Sequence, residues 1–257
     1  MKIIARMLCV LLVGTTASAL LHVDARAQDE DGSIILSTME FTVKPGHNRQ
    51  FRNGIETWKK CYLENEGEWR WNLWQRVQGT GNVYVLSSAM DNWAEMDDGP
   101  DPAARECRDI VRDLINPNIE SGTMNMSRLL ADRSIPLTQE VANDVVWVSY
   151  WRVNNFREFN ETVGAVTSTI KEAEGGFRSF WYRTMGGDRG TAHFFAVMPY
   201  ENFAALDNPS DGVWTVVENV HGKEKRDELQ NKFRKSVDES WAYLFRRVPD
   251  LSRGADE

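Results

Sequence analysis

The sequence is poor in the residues that build metal centres and nucleophilic active sites. It has only three cysteines and four histidines among 257 residues, and none forms a Cys-x-x-Cys or His-x-x-x-His pattern with metal-ligand spacing. It also lacks a Gly-x-Ser-x-Gly elbow and a glycine-rich phosphate loop that opens a helix. The sequence therefore predicts no metal site and argues against the hydrolases and nucleotide-binding proteins that carry these motifs.

Positive charge is scarce as well. Lys and Arg number 30 against 38 Asp and Glu, which gives a formal net charge of -8. A general nucleic-acid-binding protein needs a basic surface that displaces counterions from the phosphates. Nucleic acid is therefore not an expected partner.

Long hydrophobic runs are confined to the N-terminus. Two positive charges in residues 1–6 precede the apolar stretch Met7–Leu21, and the Ala-Arg-Ala sequence at 25–27 has the small-x-small pattern of a signal-peptidase site. Roughly 15 residues are too few to span a bilayer comfortably. We predict a signal peptide over residues 1–27 with cleavage after Ala27. The mature protein is then exported, periplasmic or secreted, with no membrane segment; a retained anchor is the alternative.

The sequence is rich in tryptophan, with ten residues, and it contains an internal repeat. A Trp-x-Arg sequence at 74–76, a glycine-rich turn and the apolar run Val83–Leu86 recur as Trp-x-Arg at 181–183, a second glycine-rich turn and His193–Val197. This correspondence pairs the tryptophan at 74 with the one at 181. Tryptophan in such numbers predicts aromatic clusters or an aromatic-lined pocket. The repetition predicts two copies of one folding unit.

Each repeat is predicted to run strand, helix, strand, strand, helix and strand. In the first repeat, Phe51, Ile55, Trp58 and Tyr62 recur at steps of three and four, which indicates a helix with one apolar face. The first strand of each repeat is predicted at Ile34–Val43 and Val145–Val153, and the first helix at roughly Asn48–Asn65 and Phe156–Glu174. Two strands joined by the glycine-rich turn follow. A second helical segment is predicted at Ala103–Ile115 and, with breaks, at Val213–Val237. The order β-α-β-β-α-β is the ferredoxin-like topology, with both helices on one face of a four-stranded antiparallel sheet.

The strands are apolar on both faces. Trp147 and Trp151 share one face of a predicted strand, and Val146, Val148 and Tyr150 share the other. Such strands fit a sheet that helices cover on one side and a second sheet covers on the other. We therefore predict an α+β protein in which two ferredoxin-like repeats pack sheet to sheet as a pseudo-twofold α+β barrel.

The predicted boundaries place the first repeat at residues 28–131, a linker at 132–143 and the second repeat at 144–257. The linker is assigned from its polar residues and the Ser-Ile-Pro sequence at 134–136.

Short motifs follow the strands of both repeats: Val43–His47 after the first strand, and Asp91–Trp93 and Tyr200–Phe203 after the third strands. With the element order, they resemble the dimeric α+β barrel superfamily in its tandem-fused form over residues 34–130 and 145–248. This group includes the antibiotic-biosynthesis-type and haem-degrading monooxygenases. The resemblance implies a ligand cavity between the sheet and the helices of a repeat, in a monomer or a homodimer.

Haem-degrading members of that group use an Asn, a Trp and an axial His near the second helix. His221 follows Trp214 in the corresponding region of the second repeat, but its spacing from Asp211 departs from that pattern. The first repeat has no histidine there. We therefore expect no cofactor and rank haem binding third among the hypotheses.

Candidate site residues come from positions at which the repeats differ. His193 stands where the first repeat has Val83, so His193 and His221 are the candidates for catalytic proton transfer. The alternative for His193 is a core histidine bonded to the backbone. Aromatic side chains with a few polar groups suit a flat apolar ligand. The candidate ligand-binding residues are Tyr150, Trp181, Tyr182, Arg183 and Trp214.

Two cysteines remain after the predicted cleavage. Cys61 lies near the end of the first helix and Cys107 in the second helix of the same repeat. The ferredoxin-like topology sets these helices side by side, so the two Cα atoms can approach the roughly 4.4–6.8 Å of a disulfide. In an exported protein, such a pair suggests a disulfide. Two buried thiols are the alternative.

The leading functional hypothesis is the binding or transformation of a small apolar or aromatic molecule in a pocket between sheet and helices, in the manner of cofactor-independent monooxygenases. As an enzyme, the protein would use His193 or His221 to handle a proton while aromatic side chains exclude water. A non-catalytic scaffold, or a stress or interaction module, is the alternative.

Overall fold

A computed structural model of the chain describes residues 34–97, 99, 101–208 and 210–254. The predicted signal peptide, residues 1–27, lies outside these residues. Within them, none of the helices has the length and apolar composition that a membrane span needs.

Regular structure alternates between strands and helices in the predicted order. In chain order the elements are β1 Ile35–Val43, α1 Asn48–Glu64, β2 Asn72–Arg76, β3 Asn82–Met90, α2 Pro102–Glu106, α3 Arg108–Ile110, β4 Ile119–Leu129, β5 Val145–Val153, α4 Phe156–Glu174, β6 Phe180–Gly186, β7 Phe194–Tyr200, α5 Val213–His221, α6 Lys223–Ser236 and β8 Val237–Arg247. A π-helical turn covers Val111–Ile115, and short 3-10 turns cover Trp93–Met96, Asn116–Asn118, Ala131–Arg133, Phe203–Asp207 and Pro249–Leu251.

The eight strands form one closed antiparallel barrel in the order β1-β3-β2-β8-β5-β7-β6-β4. Each repeat supplies four neighbouring strands in the ferredoxin-like order, with its last strand beside its first. The two seams between repeats are the pairs β2–β8 and β4–β6. The helices flank the sheet outside the barrel, so the predicted α+β barrel of two ferredoxin-like repeats is confirmed.

The chain crosses onto the other repeat after each repeat's last strand. The amide of Leu130 donates to the carbonyl of Trp181, and the amide of Val248 donates to the carbonyl of Leu73, both at 2.8 Å. The hydroxyls of Ser134 and Ser252 then accept from the amides of Trp181 and Leu73. Because these contacts match, the start of the predicted linker, which follows the first repeat, corresponds to the segment that follows β8 at the end of the second repeat.

The same contacts correct the predicted pairing of Trp74 with Trp181. Leu73 is the true counterpart of Trp181, because Leu73 pairs with Leu86 across the hairpin as Trp181 pairs with Ala196. Trp74 points to the opposite face. A slip of one residue moves a strand side chain to the other side of the sheet, so the shared Trp-x-Arg pattern misled the comparison.

The first helix of each repeat follows its prediction closely. Phe51 and Ile55 of α1 are buried against the sheet. In the second repeat, α4 begins after an Asn155 cap and ends at Gly175, whose φ of 79° suits glycine. The predicted helix over Ala103–Ile115 is instead divided into α2, α3 and the π-helical turn.

Candidate functional site

A cavity of about 320 Å³ lies between the sheet and the helices of the second repeat. Strands β5, β6 and β7 form its floor, and α4, α5 and α6 form its walls. Its aromatic lining consists of Trp147, Trp151, Phe177, Trp181, Trp214 and Phe233. This sheet–helix pocket lies where the resemblance to the superfamily places a ligand.

The pocket exists because the second repeat has small side chains where the first repeat has large ones. Strand registers and helix packing align the two repeats residue by residue. In the first repeat the equivalent space is filled by Met39, Trp58, Tyr62, Trp71 and Leu86. Their counterparts in the second repeat are Ser149, Val166, Ile170, Ser179 and Ala196. All five small counterparts line the pocket.

The aromatic rings of the pocket support one another. The rings of Trp151 and Trp181 stack on the floor, with centroids 4.9 Å apart and planes 12° apart. Trp214 of α5 meets Phe233 of α6 edge to face at 5.9 Å. Packed rings of this kind form a stable flat surface, which suits a flat molecule.

The indole N–H groups of the two repeats differ in their partners. In the first repeat, Trp69, Trp71 and Trp74 donate to Ser88, to the carbonyl of Leu251 and to Ser87 at 2.7–2.9 Å. In the part of the chain that the structure describes, no protein acceptor meets the indole N–H of any of the four tryptophans in the pocket lining. Among the described residues, these four donors therefore have no protein partner, and the tryptophans that carry them line the pocket.

The only charged side chains in the described lining are Arg133 and Arg178, and both are paired. Arg178 binds both carboxylate oxygens of Glu174 and thereby lowers the pKa of that carboxyl. Arg133 lies 2.8 Å from the carboxylate of Asp132. Since each guanidinium has its own counter-charge, the pocket favours a neutral ligand.

The predicted ligand-binding residues lie in three places. Trp181 and Trp214 line the sheet–helix pocket. Tyr150 and Tyr182 face the interior of the barrel, on the opposite side of the sheet. Arg183 is exposed, with its guanidinium 5.9 Å from the ring centroid of Phe156.

His193 is held by the backbone, just before β7 begins. Its Nδ1 accepts a hydrogen bond from the amide of Val153 at 3.0 Å, and its ring lies 4.9 Å from that of Phe156. With Nδ1 as acceptor, we assign the proton of the neutral ring to Nε2. His193 lines none of the described cavities, so the geometry favours a structural role over the predicted catalytic one.

His221 ends α5 and links it to α4. Its Nε2 lies 2.9 Å from the hydroxyl of Thr169, which itself donates to the carbonyl of Ala165. Thr169 is the counterpart of Cys61, and His221 lies in the helical segment that corresponds to the one holding Cys107. This hydrogen bond therefore links α4 to α5 at the place that corresponds to Cys61 and Cys107 in the first repeat. His221 does not line the sheet–helix pocket.

Replacing His221 by Ala is expected to leave ligand binding in the sheet–helix pocket unchanged. It should lower the free energy of unfolding by about 1 kcal/mol, the usual net contribution of one hydrogen bond. Urea unfolding and a binding titration on the same variant measure both quantities. A loss of binding without a loss of stability would restore His221 as a site residue.

The structure joins Cys61 and Cys107 by a disulfide. Their Cα atoms are 6.0 Å apart and 46 positions apart in sequence. Cys107 is fully buried beside Tyr62 and Trp71. The bond ties α1 to the helical segment beside it, as the topology predicts.

The pocket does not fit a haem bound through a protein ligand. Its described lining contains no His, Cys or Tyr side chain, which are the usual axial ligands together with Met. The one methionine there is Met198, and its sulfur accepts a hydrogen bond from the hydroxyl of Tyr200 at 2.9 Å. Nε2 of His221 is bound to Thr169 instead. No group of three or more His, Cys, Asp or Glu side chains in the described residues is arranged to hold a metal ion.

Comparisons with known proteins yield similar folds and no sequence relatives. No protein-family model matches the sequence, and no curated protein matches it. A candidate monooxygenase from Fusobacterium nucleatum subsp. nucleatum ATCC 25586 is similar in structure, with a TM-score of 0.51 at 10% identity, over 84% of this chain and 93% of that chain.

Two further structures give the same result. A candidate monooxygenase from Lactobacillus acidophilus NCFM has a TM-score of 0.52 at 11% identity, over 84% of this chain and 94% of that one. An anthrone oxidase-like protein also has a TM-score of 0.52, at 10% identity, over 86% and 93%. At such low identities the similarity is one of fold. It agrees with the fold seen here, a closed eight-stranded α+β barrel of two ferredoxin-like repeats.

Proposed function

We propose that this protein binds a neutral, flat, apolar molecule with at least one carbonyl or ether oxygen in the sheet–helix pocket of the second repeat. The observation that carries the proposal is the replacement of large side chains by small ones in one repeat only, as at Leu86 and Ala196. A cavity without a ligand costs stability, so a pocket opened at several positions needs an occupant to explain it.

The lining supports a binder more than a proton-transfer enzyme. Its described residues include no histidine, carboxylate, lysine, cysteine or tyrosine side chain that could act as a general acid or base. Ser149, Thr167 and Ser179 supply the remaining polar groups. We assign binding to this pocket and no catalytic residue. The similar monooxygenase structures share the fold, which does not by itself carry activity to this chain.

The proposed setting is outside the cytoplasm. A disulfide such as Cys61–Cys107 persists in an oxidising compartment and is rare in the cytosol. This agrees with the signal-peptide pattern over residues 1–27.

The first test is a thermal-shift screen of the purified protein with neutral flat carbonyl compounds, namely flavone and 9-fluorenone. A ligand at about 100 times its Kd stabilises by about 2.7 kcal/mol, which raises the Tm of a protein of this size by roughly 5–10 °C. The matched anion 9-fluorenone-4-carboxylate should bind much more weakly. No shift with any of the neutral compounds would favour the scaffold hypothesis.

The second test closes the pocket with the first repeat's own residue. Ala196→Leu places at position 196 the side chain that Leu86 supplies at the equivalent point, and it should reduce binding at least about 100-fold, equal to roughly 2.7 kcal/mol. The Tm without ligand should stay the same or rise, because the new side chain buries apolar surface in existing space. Ala89→Leu, the same change at an exposed position of β3, is the matched control. Equal binding by both variants would place the ligand elsewhere.

A further inference from the structure

The interior of the barrel contains a second space that could hold a ligand, on the face of the sheet opposite the sheet–helix pocket. It contains two neighbouring cavities of about 260 Å³ and 350 Å³. Thr38, Val85, Tyr150 and Phe195 line both, so the two cavities lie side by side and share these four side chains. Together they reach the size range of small-molecule sites.

The two ends of the barrel interior differ in chemistry. The smaller cavity is apolar and aromatic, with Trp74, Phe180, Tyr182 and Phe245 in its lining. The larger cavity contains Glu40, Arg76 and Ser127. The interior is therefore amphipathic along its length.

The polar end follows from the differences between repeats. Glu40 of β1 is the counterpart of Tyr150 of β5, and Ser127 of β4 is the counterpart of Phe245 of β8. Arg76, at the end of β2, lies where the second repeat has a threonine. At these paired strand positions the first repeat thus supplies Glu40, Arg76 and Ser127. The second repeat adds Asp188 and Arg189 from the turn after β6.

Two buried polar atoms of this end lack a partner in the part of the chain that the structure describes. They are Nε of Arg76 and the hydroxyl of Ser127, a residue that is only 1% exposed. The Arg76 guanidinium stacks 4.6 Å from the ring centroid of Tyr243 and donates from Nη2 to the carbonyl of Thr80. An unpaired buried polar atom costs about 1–3 kcal/mol. Both residues line the larger cavity, where a bound ligand would supply the missing partner.

Glu40 and Tyr150 complete the polar end. Burial raises the pKa of Glu40, while the charge of Arg76 opposes that rise. Tyr150 stacks on Trp241 at 5.5 Å, and burial raises the pKa of its phenol, so the phenol stays neutral and able to donate. The cavity therefore offers several donors and the carboxyl groups of Glu40 and Asp188.

We propose that the barrel interior is a second ligand site, for a neutral amphipathic molecule with an aromatic body and a carboxamide or hydroxyl head. The aromatic body lies in the end that contains Trp74 and Phe245. The head accepts from Arg76 and Ser127 and donates to Glu40. A neutral head is required because an anion would meet Glu40 and a cation would meet Arg76. The site is independent of the proposed function, since it uses the other face of the sheet.

The test is calorimetric titration of the full mature chain carrying Ala196→Leu, which closes the sheet–helix pocket and separates the two proposals. The probe is 2-naphthamide, which we expect to bind with one-to-one stoichiometry, and 2-naphthoate is its anionic counterpart. We expect 2-naphthoate to bind more weakly than the amide, and Glu40→Gln to narrow that difference. No binding of 2-naphthamide, or equal affinity for the two probes, would overturn the proposal. The cavities of the barrel interior would then be filled by water.

Two variants locate the site within the barrel. Ser127→Ala should weaken 2-naphthamide binding about three- to tenfold, as expected for one lost hydrogen bond. Val148→Phe fills the apolar end from a residue that is 6% exposed, and it should abolish binding while the circular dichroism spectrum stays that of a folded protein. Should Val148→Phe fail to fold, Ser127→Ala still decides: unchanged affinity in that variant contradicts the proposed head contacts.

Discussion

Replacing both Cys61 and Cys107 by Ala is expected to lower the free energy of unfolding by about 4 kcal/mol. The chain-entropy model gives this value for a loop closed by two cysteines 46 positions apart. Because Cys107 is fully buried beside Trp71, shortening its side chain to Ala should not make this loss of unfolding free energy smaller. The Tm should fall by roughly 8–16 °C. Guanidinium unfolding and calorimetry measure the two quantities.

The same prediction can be tested without mutation. Reduction of the wild-type protein with dithiothreitol should give nearly the same loss of stability, and the unfolded, unreduced protein should show no reactive thiol at either position. Thr169→Ala is the matched control, because Thr169 forms the corresponding link in the second repeat by a hydrogen bond; it should cost about 1 kcal/mol. Two reactive thiols before reduction would contradict the bond.

The fold could be predicted from the sequence because the same order of strand and helix patterns occurs in both repeats. The helix predicted over 156–174 and the strand predicted over 145–153 have those bounds in the structure. The second helical region was less predictable. A single apolar pattern over 103–115 does not show that the chain forms two short helices and a π-helical turn there.

The site was only partly predictable, for a reason of strand geometry. Successive side chains of a strand point to opposite faces, so Trp181 and Tyr182 lie in different cavities although they are adjacent. Both faces of this sheet are aromatic, and hydrophobicity alone cannot assign a ring to one cavity. The replacement of Leu86 by Ala196 was present in the sequence as a signal. The pairing of Val83 with His193 already aligns these two positions. The apparent match of Trp74 with Trp181 obscured a different replacement, that of Trp71 by Ser179, because it shifts the second strand of one repeat against that of the other by one residue.

Trp71→Ala is expected to open in the first repeat a pocket like that of the second. Trp71 is 1% exposed and packs against Trp58 and Tyr62, with ring centroids 5.2 Å and 5.8 Å away. Its N–H donates to the carbonyl of Leu251 at 2.8 Å. Loss of a buried tryptophan costs about 3–5 kcal/mol, and urea unfolding should show that decrease.

The cavity left by Trp71→Ala should bind indole, the ring that was removed, since apolar cavities of this kind stay dry and take up small aromatic molecules. Measured in the Ala196→Leu background, where the second repeat's pocket is closed, millimolar indole should raise the Tm of the Trp71→Ala variant and leave its parent unchanged. Trp69→Ala is the control, because Trp69 is 38% exposed and its removal leaves an open surface rather than a cavity. An equal response of both variants to indole would show that side-chain size at position 71 is not what keeps the first repeat closed. The second repeat's pocket would then be explained by the positions of its helices. The presence of Ser179 where the first repeat has Trp71 would not be its cause.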